Sequence, residues 1–487
     1  MGPGACICTE AMVELLKRQL SGGEDVHFVN VQRVCKGMEM GEMPSEKSIV
    51  KSALGVAWPS VLESFFVCLA GMVDTIMVAS LGSHAIAAVG LTQQPKFLGL
   101  AIFLSMNVAV SAIVARRTGA GDRESANRLL RTLLLITVGV TALISTVFVV
   151  FADPIVRFVG SQPDTHREAV EYLQIVMGGL IFSTLSLVIN AAQRGAGNTR
   201  IAMITNVISN VVNVVFNYLL INGHFGFPAM GVRGAALATV LGTVVACGLS
   251  FASVLKKNGF VYLRAVKGWL ADRASMKALV NVGTSAFIEQ LCLRVGFLLF
   301  AMTVANLGTT ELAAHQIGMN FMSISFSIGD GFSVASVTLI GQSLGKKRPD
   351  LAKVYGNVCQ KLGLMFAFVV STIYFLFGKD MFTLYTDDPV ILDYGAMIMR
   401  ILSVMLFFQI EQVVLLGGLR GAGDTKYTAM VSLISVTIVR PGASWLLCYP
   451  LGLGLLGAWL GTALDQVVRF LLSYVRFKKG KWTQLKL

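Results

Sequence analysis

Arg-Gly-Ala-Gly-Asn-Thr at residues 194–199 returns as Arg-Gly-Ala-Gly-Asp-Thr at residues 420–425, an offset of 226. The same offset carries Ser80-Leu81-Gly82 onto Asn306-Leu307-Gly308, Gly119 onto Gly345, Ala126 onto Ala352 and Glu63 onto Glu289. Near the end, Gly234-Ala-Ala-Leu-Ala-Thr239 pairs with Gly457-Ala-Trp-Leu-Gly-Thr462 at an offset of 223. One short match is chance. An ordered series at nearly constant offset is a duplication.

The duplicated unit is a set of apolar runs. They lie near 50–80, 88–115, 130–152, 170–193, 200–221 and 232–255, and again near 277–306, 312–342, 354–378, 389–418, 427–449 and 455–476. Each is long enough to cross a hydrocarbon core, which takes about 20 apolar residues as a helix. The runs are continuous rather than alternating, so they read as helices and not barrel strands. Composition agrees: 55% of residues are hydrophobic and 14% charged, with a mean hydropathy of +0.70, where a soluble domain is about 25% charged. The expected fold is an all-α membrane protein with twelve transmembrane helices in two pseudo-symmetric six-helix bundles around a central cleft. Six helices is an even number, so both copies enter the bilayer in the same sense. The chain divides into an N-terminal extension (1–46) read as disordered, an N-terminal lobe (47–255), an inter-lobe linker (256–276), a C-terminal lobe (277–476) and a basic tail (477–487).

The net charge of +13 would suggest nucleic acid for a soluble protein. Here the loops account for it, and no nucleic acid is expected. Arg116, Arg117, Arg123, Arg128 and Arg131 follow the second run; Arg194 and Arg200 the fourth; Lys256, Lys257, Arg264, Lys267, Arg273 and Lys277 the sixth; Lys346, Lys347, Arg348 and Lys353 the eighth; Arg420 and Lys426 the tenth. The alternate loops hold only Arg157, Arg167, Arg233 and Lys379. This asymmetry predicts cytoplasmic termini at both ends of a multi-pass plasma-membrane protein. The eight cysteines are scattered without metal-ligand pairing, Cys6 and Cys8 forming a lone C-x-C, and no metal is expected. Residues 1–46 lack the apolar core of a secretory signal.

Several of these residues resemble the MATE family, the multidrug and toxic compound extrusion transporters. They are Met72-Val-Asp-Thr-Ile-Met-Val78 with Leu81-Gly82, the two Arg-Gly-Ala-Gly turns, Ala313-Ala-His-Gln316, Asn210, Asn213 and Asn217 with Tyr218-Leu-Leu-Ile221, and Gly234-Ala-Ala-Leu-Ala-Thr239. The resemblance covers roughly residues 48–476. It implies a secondary-active antiporter that exports small organic compounds, often cationic, in exchange for H⁺ or Na⁺, with no cofactor and no enzymatic activity.

Ionisable residues inside spans are costly and mark function by default. Asp74 is the foremost candidate: it sits inside the first run with no basic residue within four positions, and the resemblance places a cation- or proton-binding aspartate there. Asn213 and Asn217 are four apart on one helical face, and Thr239 adds a hydroxyl. In some family members an aspartate stands at the position of Asn217, and its absence here disfavours a tight Na⁺ site in this half. For the C-terminal half the candidates are Glu289, Glu411 and Asp330, for cation or substrate. Glu63 is eleven residues before Asp74, about 16 Å along the axis, and reads as a gating group or a headgroup-level residue. Asp465 and Arg469, at i and i+4, read as a structural ion pair. Arg440-Pro441 marks a kink, and Lys96 either snorkels or pairs with a carboxylate.

The Arg-Gly-Ala-Gly turns lack the Lys-Ser/Thr of a phosphate loop and read as helix C-caps. Without an ATP site, the energy would come from an ion gradient. Three rival readings remain. A lipid-linked oligosaccharide flippase would need several cleft arginines, where Arg294 and Arg440 are the obvious ones. A membrane-embedded enzyme would need a catalytic motif such as H-E-x-x-H or G-x-S-x-G. A channel would not need isolated protonatable residues in each half. A monomer in the lipid bilayer is expected.

Overall fold

A computed structural model describes residues 41–256, 259–263 and 272–485. The expectation of disorder falls mostly on residues 1–40, outside the described residues. Among the described residues, eleven helices are long and apolar enough to cross a membrane, or twelve when one bent pair counts as a single span. We number these α1 (Glu46–Ala79), α2 (Ser83–Gly119), α3 (Arg123–Val150), α4 (Pro163–Gly178 and Leu180–Gly195), α5 (Thr199–Ile221) and α6 (Gly231–Leu255) in one lobe. The second lobe holds α7 (Arg273–Ala305), α8 (Thr309–Gly345), α9 (Pro349–Phe382), α10 (Pro389–Gly421), α11 (Thr425–Cys448) and α12 (Gly454–Lys479). Each apolar run of the sequence falls on one span, overrunning its end by two residues at most. The second lobe begins a turn earlier than hydropathy implies, because Asp272 caps α7 by accepting from the Ser275 N–H at 3.4 Å.

Two spans are irregular for local reasons. The halves of α4 meet at a 46° bend at Gly179, where a Cβ would lie 2.6 Å from a Val240 methyl, so only glycine lets α6 come this close. In α11 a π-helical stretch, Leu433–Val439, precedes Pro441. Proline removes one backbone donor and the widened turn absorbs the clash, as the Arg440-Pro441 pair predicts.

The repeat is visible in the backbone. Gly197 and Gly423, the last glycines of the two Arg-Gly-Ala-Gly turns, both take left-handed conformations, with φ of 90° and 86°. Gly121 (φ 73°) is likewise matched 226 residues on by Lys347 (φ 57°). A lysine there carries a strain of about 1–2 kcal/mol that glycine avoids.

Each lobe's first helix crosses to the other lobe at the end that bears the basic loops. Ile49, Ala53, Ala57 and Val61 of α1 join the core of Phe332, Leu402, Ile410 and Val358 in the second lobe. Leu279 and Val282 of α7 join the core of Leu129, Leu133 and Ile189 in the first. The packing therefore does not follow a lobe boundary drawn at 256–276, since each lobe's core takes in the start of the other's first helix. At this end α2 and α8 cross backbone against backbone. A Cβ on Gly119 would lie 1.9 Å from the Gln342 carbonyl oxygen, and one on Gly345 would lie 2.1 Å from the Arg116 carbonyl oxygen. Gly119 and Gly345, and Arg116 and Gln342, are both related by the 226-residue offset.

Thr338 donates to the Arg194 carbonyl at 2.9 Å, Gln342 to the Gly195 carbonyl at 3.1 Å and Arg117 to Ser275 at 3.0 Å. Among the described residues, the hydrogen bonds that join the lobes lie toward this basic end. Both described chain ends are there too: the Gly41 N–H donates to Asp350 at 3.3 Å, and Arg116 donates to the Leu485 carbonyl at 2.6 Å. Leu143, Phe375, Leu376 and Ile438 are exposed, as lipid-facing side chains are.

Gly119→Ala or Gly345→Ala is expected to force the lobes apart at the basic end without loss of helix content. Hydroxyl-radical footprinting of Leu344 and circular dichroism check this: Leu344 becomes several-fold more reactive while the helical signal holds.

Candidate functional site

Four helices bring polar side chains together in the first lobe. Asp74 of α1 accepts from the Asn217 amide at 2.5 Å, and Asn217 also donates to Asn213 Oδ1 at 3.4 Å. Asn213 donates to Thr239 Oγ1 at 3.4 Å, and Thr239 donates in turn to the Ala235 carbonyl at 3.0 Å. The one-face spacing of Asn213 and Asn217 on α5 is what lets them form this line. Tyr172 of α4, nearly fully buried, adds its hydroxyl to Thr239. Lys96 of α2 lies within electrostatic range of Asp74. All four residues expected from the sequence thus meet. Tyr172 was not foreseen, because an isolated tyrosine in an apolar run reads as packing.

Asn217 is fully buried, and its Oδ1 has no hydrogen-bond partner. An unsatisfied buried acceptor costs about 1–3 kcal/mol. Beside a carboxylate it is a ready oxygen ligand for a cation, or an acceptor for a protonated Asp74.

Glu63 is not part of this cluster. It is buried, accepts from Arg194 at 2.6 Å and from Asn206 at 2.5 Å, and Arg194 also donates to Asn107 at 3.2 Å. Read from the sequence as a gating or headgroup-level group, Glu63 ties α1 to the last turn of α4 and to α5 inside the lobe. Glu289 does the same in the second lobe. It accepts from Arg420, from Thr428 at 2.8 Å and from Ser432 at 3.4 Å. Arg194 maps onto Arg420 and Asn206 onto Ser432 at the 226-residue offset. Glu289, a candidate for cation or substrate contact, accepts here from an arginine and two hydroxyls. The signal was present in the sequence, since both pairs are 131 residues apart.

The C-terminal candidates do not converge. Asp330 of α8 is exposed on the surface of the protein and lies in electrostatic range of Arg420. Glu411 of α10 is buried beside Gln360, with Oε1 unpartnered. The other charges form an alternating chain: Asp330, Arg420, Glu289, Arg469, Asp465, Arg440. Asp465 is fully buried and accepts from Arg440 at 2.7 Å and from Arg469 at 3.2 Å. The sequence found the Asp465–Arg469 pair and not Arg440, which comes from another helix. Where the first lobe has Asp74 and Asn213, the second has Phe300 and Val439. The Phe300 ring meets His315 at 5.3 Å, and Arg440 lies 5.7 Å over it.

Comparison with known proteins gives the same frame. The MatE family model matches residues 59–219 and again 285–446. The chain is 31% identical over 446 residues to a probable multidrug resistance protein NorM of Thermotoga maritima, covering 91% of this chain and 94% of that one. It is 26% identical over 447 residues to the multidrug resistance protein MdtK of Yersinia pestis, covering 89% and 95%. Among solved structures, an outward-facing conformation of a multidrug resistance MATE family transporter superposes with a TM-score of 0.83 at 22% identity, covering 93% and 99%.

The two kinds of carboxylate should separate on mutation. Glu289→Ala strands a buried guanidinium and is expected to cost about 3–5 kcal/mol. Asp74→Asn, whose amide oxygen still accepts from Asn217, is expected to cost about 1 kcal/mol or less. Thermal unfolding in detergent micelles measures both.

Proposed function

The chain belongs to the MATE family, and we propose that it is a secondary-active antiporter that exports small organic cations in exchange for H⁺ or Na⁺. Two of its relatives are named as multidrug resistance proteins, one of them as a probable one. The observation that carries the coupling half of the reading is the unpartnered Asn217 Oδ1 beside Asp74.

The basic end faces the cytoplasm in this reading, since Lys and Arg gather on cytoplasmic loops. The lobes are joined at that end, so the cleft opens outward. A proton or Na⁺ from outside enters at Asp74 and takes up the free oxygen of Asn217. Protonation or ligation of Asp74 weakens its hold on the Asn217 amide and on Lys96. α1 and α5 then repack, with Tyr172 and Thr239 following. The organic cation arrives from inside when the lobes reverse and is attracted to the cleft carboxylate Asp330. Each ligand must oppose the other's occupancy for exchange to be coupled.

The flippase reading lacks its arginines. Arg440 is paired with Asp465, and Arg294 lies 4.2 Å over the Phe97 ring.

Ethidium efflux from vesicles, with Na⁺ and pH gradients imposed separately, tests the proposal. One gradient is expected to drive efflux in the natural protein. Asp74→Asn is expected to lower coupled efflux at least about 100-fold, as loss of a required group does. Full coupled efflux in that variant would overturn the assignment.

A further inference from the structure

At the basic end a pocket of about 230 Å³ lies across the lobe junction, lined by Ile113, Arg116, Arg117, Ala278, Leu344 and Lys347 among others. Three cations from two lobes therefore face one small space. Arg117 is balanced: it pairs with Asp122 at 3.4 Å and donates to Ser275. Among the described residues no carboxylate pairs with Arg116 or Lys347. Arg116 gives one nitrogen to the Leu485 carbonyl at 2.6 Å, while its Nη1 is buried without a partner. A buried guanidinium N–H left over in a basic pocket points to an anion.

Lys347 supplies an independent observation. Its symmetry mate is Gly121, and both hold the left-handed conformation, at φ 57° and 73°. A glycine would make this turn without strain. The chain instead keeps a lysine there, with its side chain on the pocket wall. Ile113, Ala278 and Leu344 make the rest of that wall apolar, which suits an anion carrying a glycerol or acyl portion.

We propose that this pocket binds a phosphate-bearing anion that bridges the two lobes and holds the basic end shut. A phosphate group there contacts Arg116 and Arg117 from α2 and Lys347 from the α8–α9 turn. Parting the lobes separates these cations and dismantles the site. The anion therefore binds the closed state in preference and shifts the population toward it. The source is either an anionic lipid headgroup, for which basic pockets between helices on the cytoplasmic side are suited, or free phosphate.

Hydrogen–deuterium exchange of the full chain in nanodiscs distinguishes these. Exchange is followed at the turns 118–122 and 344–348 in phosphatidylcholine alone, with phosphatidylglycerol added, or with inorganic phosphate added. Phosphatidylglycerol is expected to slow exchange about tenfold at both turns. The slowing should be lost in Arg116→Gln and in Lys347→Gly, which the backbone accepts without strain. It should be kept in Lys426→Gln, an exposed charge at the same end and outside the pocket. Slowing by phosphatidylglycerol alone assigns a lipid headgroup. Slowing by inorganic phosphate as well assigns the phosphate group itself. No slowing with either, or slowing that survives in both pocket variants, overturns the proposal.

Discussion

A charge inside a bilayer must be matched, and that constraint organises this molecule. An unpaired carboxylate in a low-dielectric interior is so costly that it takes a proton, a metal ion or a cationic partner. Glu63 and Glu289 each take an arginine from the last turn of the fourth helix of their own lobe. Asp465 takes two. These pairs join α1 to α4, α7 to α10 and α12 to α11, so the bundles depend on them. Asp74, like Glu411 and Asp330, has no ion-pair partner among the described residues. Its hydrogen-bond donor is a neutral amide, its nearest cation is Lys96, and a buried oxygen beside it has no partner. A carboxylate left so weakly compensated is available to an exchangeable ion.

The frame was legible because hydropathy and duplication are long-range signals. Twelve runs gave twelve spans, and one offset of 226 residues located matching turns, matching left-handed residues and the α2–α8 crossing. The first-lobe cluster was legible because polar residues in a span are few and helical spacing puts Asn213 and Asn217 on one face. The ion pairs of the second lobe were less legible, for a physical reason. A carboxylate in a span looks the same in sequence whether it is free or paired, and Arg420 and Arg440, which pair with Glu289 and Asp465, arrive from other helices. Arg194 and Arg420 were read as parts of glycine turns, yet their guanidinium groups neutralise Glu63 and Glu289. Tyr172 carried no signal at all.

The crossing of α1 and α7 into the opposite lobes gives the symmetry a mechanical consequence. Because Ala53 and Ala57 pack in the second core and Leu279 and Val282 in the first, neither lobe can rock without moving the other's first helix. Asp74 lies on the half of α1 away from the basic end, beyond that anchored stretch. Events at Asp74 can therefore reach the lobe junction along one continuous helix, Glu46–Ala79. At the junction, Gly119 and Gly345 allow a contact of backbone on backbone. Such a contact has two states, together or apart, as a gate requires.

The central claim is that Asp74, and not an ion-paired glutamate, exchanges the coupling ion. Infrared difference spectroscopy of the reconstituted protein, taken between coupling-ion-bound and ion-free conditions, reads carboxyl groups directly. The account predicts a carboxyl difference band that Asp74→Asn abolishes and Glu289→Gln leaves in place. A band that persists in Asp74→Asn and disappears in Glu289→Gln would contradict it.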